Sequence, residues 1–340
     1  MSHERVLTQP ELNRALLARQ LLLERSKLSV PRSVERLGGI QNQYAPNGYI
    51  RLWSCLQGFE RDALTRALER RTVVQATLMR GTIHLVSADD FWLFSAGITR
   101  AWKQWWLRVN KKEIDLDEAT EATREFLRGR TCTHTELEEF KRRIGAPGAP
   151  MHLVRVPPAG TWTKRRAHTF ALAEDWLGPC RVTEEEGLEH LVRRYLGAFG
   201  PSAQREIANW AGVPPPFLDG PLARMRLRRF RNEAGAELLD LPRAPLPSAD
   251  APTPVRFLPT FDATLLVHAR GTGIMPEEYR PIIFNTKAPQ SFPTFIVDGA
   301  VAGTWRYEND RIRIEPFKPL SRAARQALAE EAARLTAFHS

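Results

Sequence analysis

The sequence predicts an α+β chain: tandem helix-rich units, each closed by a β-hairpin, followed by a small β-rich C-terminal domain. Three observations lead there. An order of three helices and then a hairpin recurs along the first 250 residues. Arginine and lysine crowd into two of the hairpins. After the Pro-rich stretch Leu241 to Pro254, the helical spacing of apolar residues gives way to short strand-like runs.

In the first unit, Glu11 to Glu24 carries a helical pattern, and Ser29 to Leu37 carries a second that stops at Gly38-Gly39. Arg61 to Arg70 is a third helix. Val73 to Met79 and Thr82 to Ser87 then form a hairpin about Arg80-Gly81. The aromatic stretch Phe91 to Trp106 is interrupted by Arg100, Lys103 and Gln104, so it reads as a buried amphipathic helix and not as a membrane span. Trp102, Trp105 and Trp106 sit at helical spacing and are expected in a core. The unit is taken as residues 1–110.

The second unit, 111–180, repeats the order. Glu118 to Leu127 is helical, Thr133 or Thr135 can cap Glu136 to Arg143, and Gly145 stops that helix. Strands at Leu153 to Val156 and Trp162 to Phe170 are expected to flank Pro157-Pro158-Ala159-Gly160. The third unit, 181–250, is the clearest. Leu191, Val192, Tyr195, Leu196 and Phe199 mark a helix that ends at Gly200-Pro201. Ser202 is the expected N-cap of the next helix, which Gly212 closes, and a short third helix starts at Phe217. Met225 to Phe230 and Glu237 to Leu241 make its hairpin. Three helices with a terminal hairpin is the winged-helix order, a helix-turn-helix variant.

In the last domain, 251–340, strands are expected at Val255 to Leu258, Thr264 to His268, Thr294 to Val297, Val301 to Trp305 and Arg311 to Ile314. Asp298-Gly299 is a hairpin turn, and the helix Ser321 to Thr336 closes the chain.

Composition narrows the partners. The chain has 340 residues, 49 Lys+Arg against 39 Asp+Glu, and a net charge of +10, which favours a polyanion. Cys55, Cys132 and Cys180 lie far apart, so a disulfide framework or cysteine zinc site is not expected, and a reducing, cytoplasmic setting fits. The polar stretch Met1 to Gln9 has no apolar signal core. The sequence has no HExxH, no Walker loop, no GxGxxG after a strand and no GxSxG elbow, so no metal or cofactor is expected.

The basic clusters point to nucleic acid. Arg224, Arg226, Arg228, Arg229 and Arg231 fall in the third hairpin, and Lys164, Arg165 and Arg166 in the second. Either cluster alone reads as a solvated strand face. Two at the same place in repeated units favour phosphate contact along duplex DNA. Arg80, at the tip of the first hairpin, is expected to touch phosphate as well. His84, in an alternating strand, reads as a core histidine.

The segment Gly38-Gly39-Ile40-Gln41-Asn42-Gln43-Tyr44-Ala45-Pro46 is the most unusual in the chain. With Tyr49 to Trp53 downstream, it resembles the AlkZ/YcaQ-like DNA glycosylases, a bacterial winged-helix family whose members excise alkylated or crosslinked purines. The resemblance continues through Gln75 to Val86, Ala173 to Gly178, Leu258 to Asp262, Val297 to Gly299 and Gly303 to Trp305, covering nearly the whole chain. It implies three tandem winged helices around a DNA channel and a Gln-x-Gln catalytic element at Gln41 and Gln43, with Tyr44 beside it toward the DNA. Asn42 stands where the family often has an apolar or small residue. The Gln-x-Asp of the broader alkyl-base repair branch is absent, which puts the substrate range in question.

The chemistry is consistent with those residue types. From Arg36 to Phe59 there is no Asp or Glu. A glutamine amide orients water but is a poor general base, so the site suits a substrate already activated. An N7- or N3-alkylated purine is cationic and leaves as a neutral base. Such a monofunctional glycosylase, acting as a monomer on damaged or crosslinked duplex in repair or self-resistance, is the leading reading. A non-enzymatic winged-helix regulator and a drug-sequestering self-protection protein are the alternatives. Asp262 is read as a turn or cap residue, catalytic only if the β-rich domain folds back over the channel.

Overall fold

The computed structural model describes residues 5–110, 115–166, 168–285 and 290–340, and no side chain at position 285. The start of the polar N-terminal segment, residue 167 inside the expected second strand, and the start of the unit placed at 111–180 lie outside the described residues.

The chain is a mixed α+β protein. A short strand β1 (Val6–Leu7) precedes helix α1 (Gln9–Arg19), which has a capping box between Thr8 and Glu11. Leu21 is left-handed at φ 57°, so this helix ends five residues before the apolar spacing does. Next come α2 (Val30–Arg36), β2 (Ile40–Gln41), α3 (Pro46–Cys55) and α4 (Arg61–Glu69). The hairpin β3 (Val73–Thr77) and β4 (Ile83–Ser87) feeds the long α5 (Ala88–Asn110). Helix α3 was not legible as a helix because every one of its positions is buried, which leaves no polar face to set a period.

The middle of the chain holds α6 (Leu116–Leu127), β5 (Cys132–Thr133), α7 (His134–Arg143), β6 (Leu153–Arg155), β7 (Thr169–Leu172) and α8 (Ala173–Leu177). Thr133, not Thr135, caps α7. Then follow α9 (Glu184–Phe199), α10 (Gln204–Ala211), α11 (Asp219–Arg224) and the hairpin β8 (Arg228–Asn232) and β9 (Glu237–Asp240). Ser202 does not cap α10. It is buried, its backbone bridges Leu239, and its hydroxyl donates to Glu206, so the cap position shifts to Ala203.

The C-terminal part contains β10 (Arg256–Leu258), α12 (Arg280–Ile283), β11 (Phe284–Asn285), β12 (Gln290–Ser291), β13 (Thr294–Val297), β14 (Ala300–Glu308), β15 (Arg311–Pro316) and α13 (Arg322–His339). The strand expected at Thr264 to His268 is instead two 3-10 turns, the first capped by the Asp262 side chain on the Thr264 N–H. Asp298 at φ 50° and Gly299 at φ 83° make the β13–β14 turn, whose Gly299 carbonyl accepts from Asn13 of α1 at 2.8 Å.

One antiparallel sheet, ordered β2-β4-β3-β6-β7-β5, joins the hairpins of the first and second stretches, with Gln75 opposite Arg155 and Ala76 opposite Val154. One face of it (Val74, Ala76, Val86, Val154) enters the largest core, shared with Phe94 and Ile98 of α5, Leu191 and Tyr195 of α9, and Trp210 of α10. The other face meets a second core around Val34, Tyr49, Leu52 and Leu64. Behind the third hairpin, Arg19 of α1 is fully buried, paired with Asp240 at 2.6 Å and donating to the carbonyls of Leu196 at 2.7 Å and Pro245 at 2.9 Å.

Candidate functional site

Gly38 and Gly39, at φ 72° and 82°, turn the chain sharply off the end of α2. Strand β2 is then pinned to β4, with Gln41 opposite His84, and the Asn42 N–H donates to the Ile83 carbonyl at 2.7 Å. Residues opposite one another project to the same face, so the Gln41 side chain shares the face of His84 and Ala76, turned toward the largest core. Gln41 is 8% exposed, and its Oε1 accepts from the Arg80 guanidinium at 2.8 Å.

Asn42 is 1% exposed, and its Oδ1 accepts the Gly48 N–H at 2.8 Å. The middle residue of the Gln-Asn-Gln turn therefore caps the first turn of α3, which has no capping side chain of its own. Gln43 is exposed, and its Oε1 accepts the Ile83 N–H at 2.9 Å. Arg80 and a backbone N–H can only donate, so the atom each meets has to be the amide oxygen. Both amides thus turn Nε2 away from these anchors, and no described residue hydrogen-bonds either Nε2.

Beside Gln43, Tyr44 is 45% exposed. Its hydroxyl accepts from Arg165 at 2.6 Å, and the Arg165 guanidinium lies 5.7 Å from the ring centre. Lys164, Arg165 and Arg166 are exposed and form no ion pair with described residues. They are not on a hairpin strand as expected. Trp162 is drawn down onto Tyr49, at 5.7 Å between ring centres, and Phe338, at 5.5 Å. The Gly160 N–H closes a turn onto the Lys164 carbonyl at 2.7 Å. The β-run is broken there, and the resulting loop brings the cations over the first stretch of the chain, next to Tyr44.

Arg80 corrects a second expectation. Its side chain points inward, donating to Gln41 and to the Trp210 carbonyl of α10, and so is not a surface phosphate contact. Burial lowers its pKa to about 10, which leaves it cationic at neutral pH. His84 is the core histidine expected. It is 2% exposed, with Nδ1–H donating to the Thr82 carbonyl at 3.0 Å. Burial, and then the Arg80 charge, push its pKa down to about 3, so the ring is neutral.

Asp262 folds back toward the turn. It lines one small crevice with Gln41, Gly39, Gln20 and Arg51. Its Oδ1 accepts from Thr264 N–H at 2.9 Å and Oγ1 at 2.7 Å, and Oδ2 meets Arg51 Nε at 3.0 Å. This is the capping role, with both oxygens engaged.

Of the third cluster, Arg226 is exposed ahead of β8, Arg228 is paired with Asp240 and also donates to the Ala244 carbonyl at 3.0 Å, and Arg229 is paired with Glu237. Arg228 and Arg229 are thus already neutralised. No recorded contact among the described residues joins this hairpin to Gln41–Tyr44. Sequence reasoning missed Arg51 and Asn47, which clamp α3 to the 260–262 loop: Asn47 donates to the Thr260 carbonyl at 3.1 Å and accepts from its hydroxyl at 3.0 Å. Neither carries a local signal, since each partner lies over 200 residues away.

Among the described residues, no cluster of three or more His, Cys, Asp or Glu could hold a metal, and no helix is long and apolar enough to cross a membrane. The fold and site thus describe a mixed α+β protein whose candidate centre is a pair of glutamine amides beside an exposed cationic loop. The family model of the AlkZ-like DNA glycosylases matches residues 34–338, and the chain belongs to that family. It is 24% identical to an interstrand DNA cross-link repair glycosylase of Streptomyces sahachiroi, over 93% of this chain and 92% of that one. The solved structure of the Streptomyces sahachiroi DNA glycosylase AlkZ superposes with a TM-score of 0.81, at 22% identity, covering 98% of this chain and 97% of that one.

Proposed function

We propose that this protein is a monofunctional DNA glycosylase that hydrolyses the N-glycosidic bond of N7- or N3-alkylated purines, unhooking interstrand crosslinks of that chemistry. The observation that carries the reading is the Gln41-Asn42-Gln43 turn, where both amides are anchored through oxygen, no described residue hydrogen-bonds either Nε2, and Tyr44, the next residue, holds the exposed Arg165. Three winged-helix units, 1–110, 111–180 and 181–250, with the β-rich 251–340, hold the duplex. The protein acts as a monomer at the bacterial nucleoid, in repair or in self-resistance to an alkylating agent.

An alkylated purine is a cationic leaving group, so its departure needs no acid. The Gln41 and Gln43 amides hold the water that captures the developing sugar cation, and the flanking phosphates stabilise that cation. Bond breaking precedes capture, so the water needs no strong base and gives up its proton to bulk solvent as the new C–O bond forms; an unmodified purine would have to leave as an anion, so undamaged DNA is inert. Asp262 supplies no free carboxylate, because Arg51 and Thr264 occupy it. No lysine stands in the Gly38–Trp53 segment that carries the amide pair, and the reaction proposed is hydrolysis without Schiff-base strand cleavage.

The test is excision from duplex DNA carrying one N7-alkylguanine, followed by alkali to cut abasic sites. Gln41→Ala and Gln43→Ala are each expected to slow excision roughly 100-fold, the scale for losing one positioned donor. Tight binding without strand breaks, on several adducts, would instead leave a DNA-binding regulator or a sequestering protein.

A further inference from the structure

We infer that Arg80 is a positioning residue for the Gln41 amide, held in place by the end of α10 more than a hundred residues later; the inference rests on Gln41 acting in excision. The tip between β3 and β4 places Arg80 in the left-handed region, φ 57°, uncommon for a residue with a Cβ. From there one nitrogen donates to the Trp210 carbonyl and the other, at 2.8 Å, to Gln41 Oε1.

The end of α10 closes directly on the backbone of this turn. A Cβ added at Gly212, the left-handed C-cap of α10 (φ 76°), would stand 2.8 Å from the Arg80 backbone nitrogen and 3.0 Å from its Cα. Only glycine lets the helix end close on the turn. No carboxylate among the described residues pairs with Arg80, although the side chain is half-buried. A half-buried cation satisfied by two neutral oxygens is a costly arrangement for stability alone. It gives Gln41 two things. The amide cannot flip, because the guanidinium accepts nothing, and the pull on Oε1 makes the Nε2–H groups stronger donors.

A double-mutant cycle on the full chain separates positioning from simple support. Excision of an N7-alkylguanine is followed at saturating protein for wild type, Arg80→Met, Gln41→Ala and the double variant, with duplex affinity measured alongside. Arg80→Met is expected to slow the first-order step roughly 10-fold with affinity nearly unchanged, and to cost nothing further in the Gln41→Ala background. Equal losses in both backgrounds overturn the inference, as does a wild-type rate or a loss confined to affinity. Side-chain amide resonances of Gln-labelled protein give a readout besides activity. Arg80→Lys, which keeps the cation and folds more readily, is expected to shift the Gln41 NH2 pair and leave the Gln43 pair in place. An unmoved Gln41 pair overturns the inference. If Gln41→Ala excises at the wild-type rate, the catalytic reading of Gln41 falls, while the resonances still report whether Arg80 fixes that amide.

Discussion

The loop Lys164–Arg166 and the hairpin strand Arg226–Arg231 look alike as sequence, yet the structure uses them oppositely. The first leaves its cations exposed without ion pairs beside Tyr44 and Gln43. The second gives Arg228 to Asp240 and Arg229 to Glu237, and Asp240 in turn holds the buried Arg19 of α1. What distinguishes the two is the supply of carboxylates. Strand β9 places Glu237 and Asp240 opposite Arg231 and Arg228, whereas Trp162 pulls the other segment off the sheet before any strand can face it. A row of arginines keeps its charge available to an anion only where the tertiary structure leaves it uncompensated.

The largest expected effect tests the third hairpin as a structural joint. Asp240→Ala leaves Arg19 buried without its partner and should lower unfolding free energy by about 3–5 kcal/mol, read by urea denaturation. A loss under 1 kcal/mol would break the contrast. Next, Lys164→Ala/Arg165→Ala/Arg166→Ala should raise the duplex Kd roughly 10- to 100-fold. The same variant should flatten the slope of log K against log salt by about 2.7, with stability little changed. Smaller still is the acid response. His84 and His152 are held neutral by burial, with pKa values of about 3 and about 4. Their folded values lie below the unfolded one near 6.5, so stability is intact above pH 6.5 and falls as pH drops from there. Each histidine costs about 2 kcal/mol by pH 5, and His152→Gln should remove one such share of the decline in thermal melts. The smallest effect is Arg229→Ala. Breaking its exposed pair with Glu237 should change stability by under about 1 kcal/mol and leave the salt slope unaltered.

Much of the site was readable from local chemistry. Gly38-Gly39 announced a sharp turn, and the turn exists; His84 and Asp262 took the core and capping roles that their positions suggested. Arg80 was misread because a hairpin tip is ordinarily exposed, and nothing near it in sequence tells that the Trp210 carbonyl and Gly212 will cover it. Trp162 was placed on a strand because aromatic runs favour strands; its ring was instead claimed by Tyr49 and Phe338.

By itself, the sequence determined most of the helices, the first and third hairpins, the basic balance and the unusual Gln41-Asn42-Gln43 turn, all of which are legible from residue types and spacing within a few positions of one another. Tertiary structure alone decided which charges stay free, which way the two amides face, and that Arg80 serves Gln41 from within. The ion pairs of the third hairpin span only 8 and 12 residues, but the amide anchors and the seat of Arg80 depend on partners 39 to 130 residues distant, whose approach no local propensity encodes.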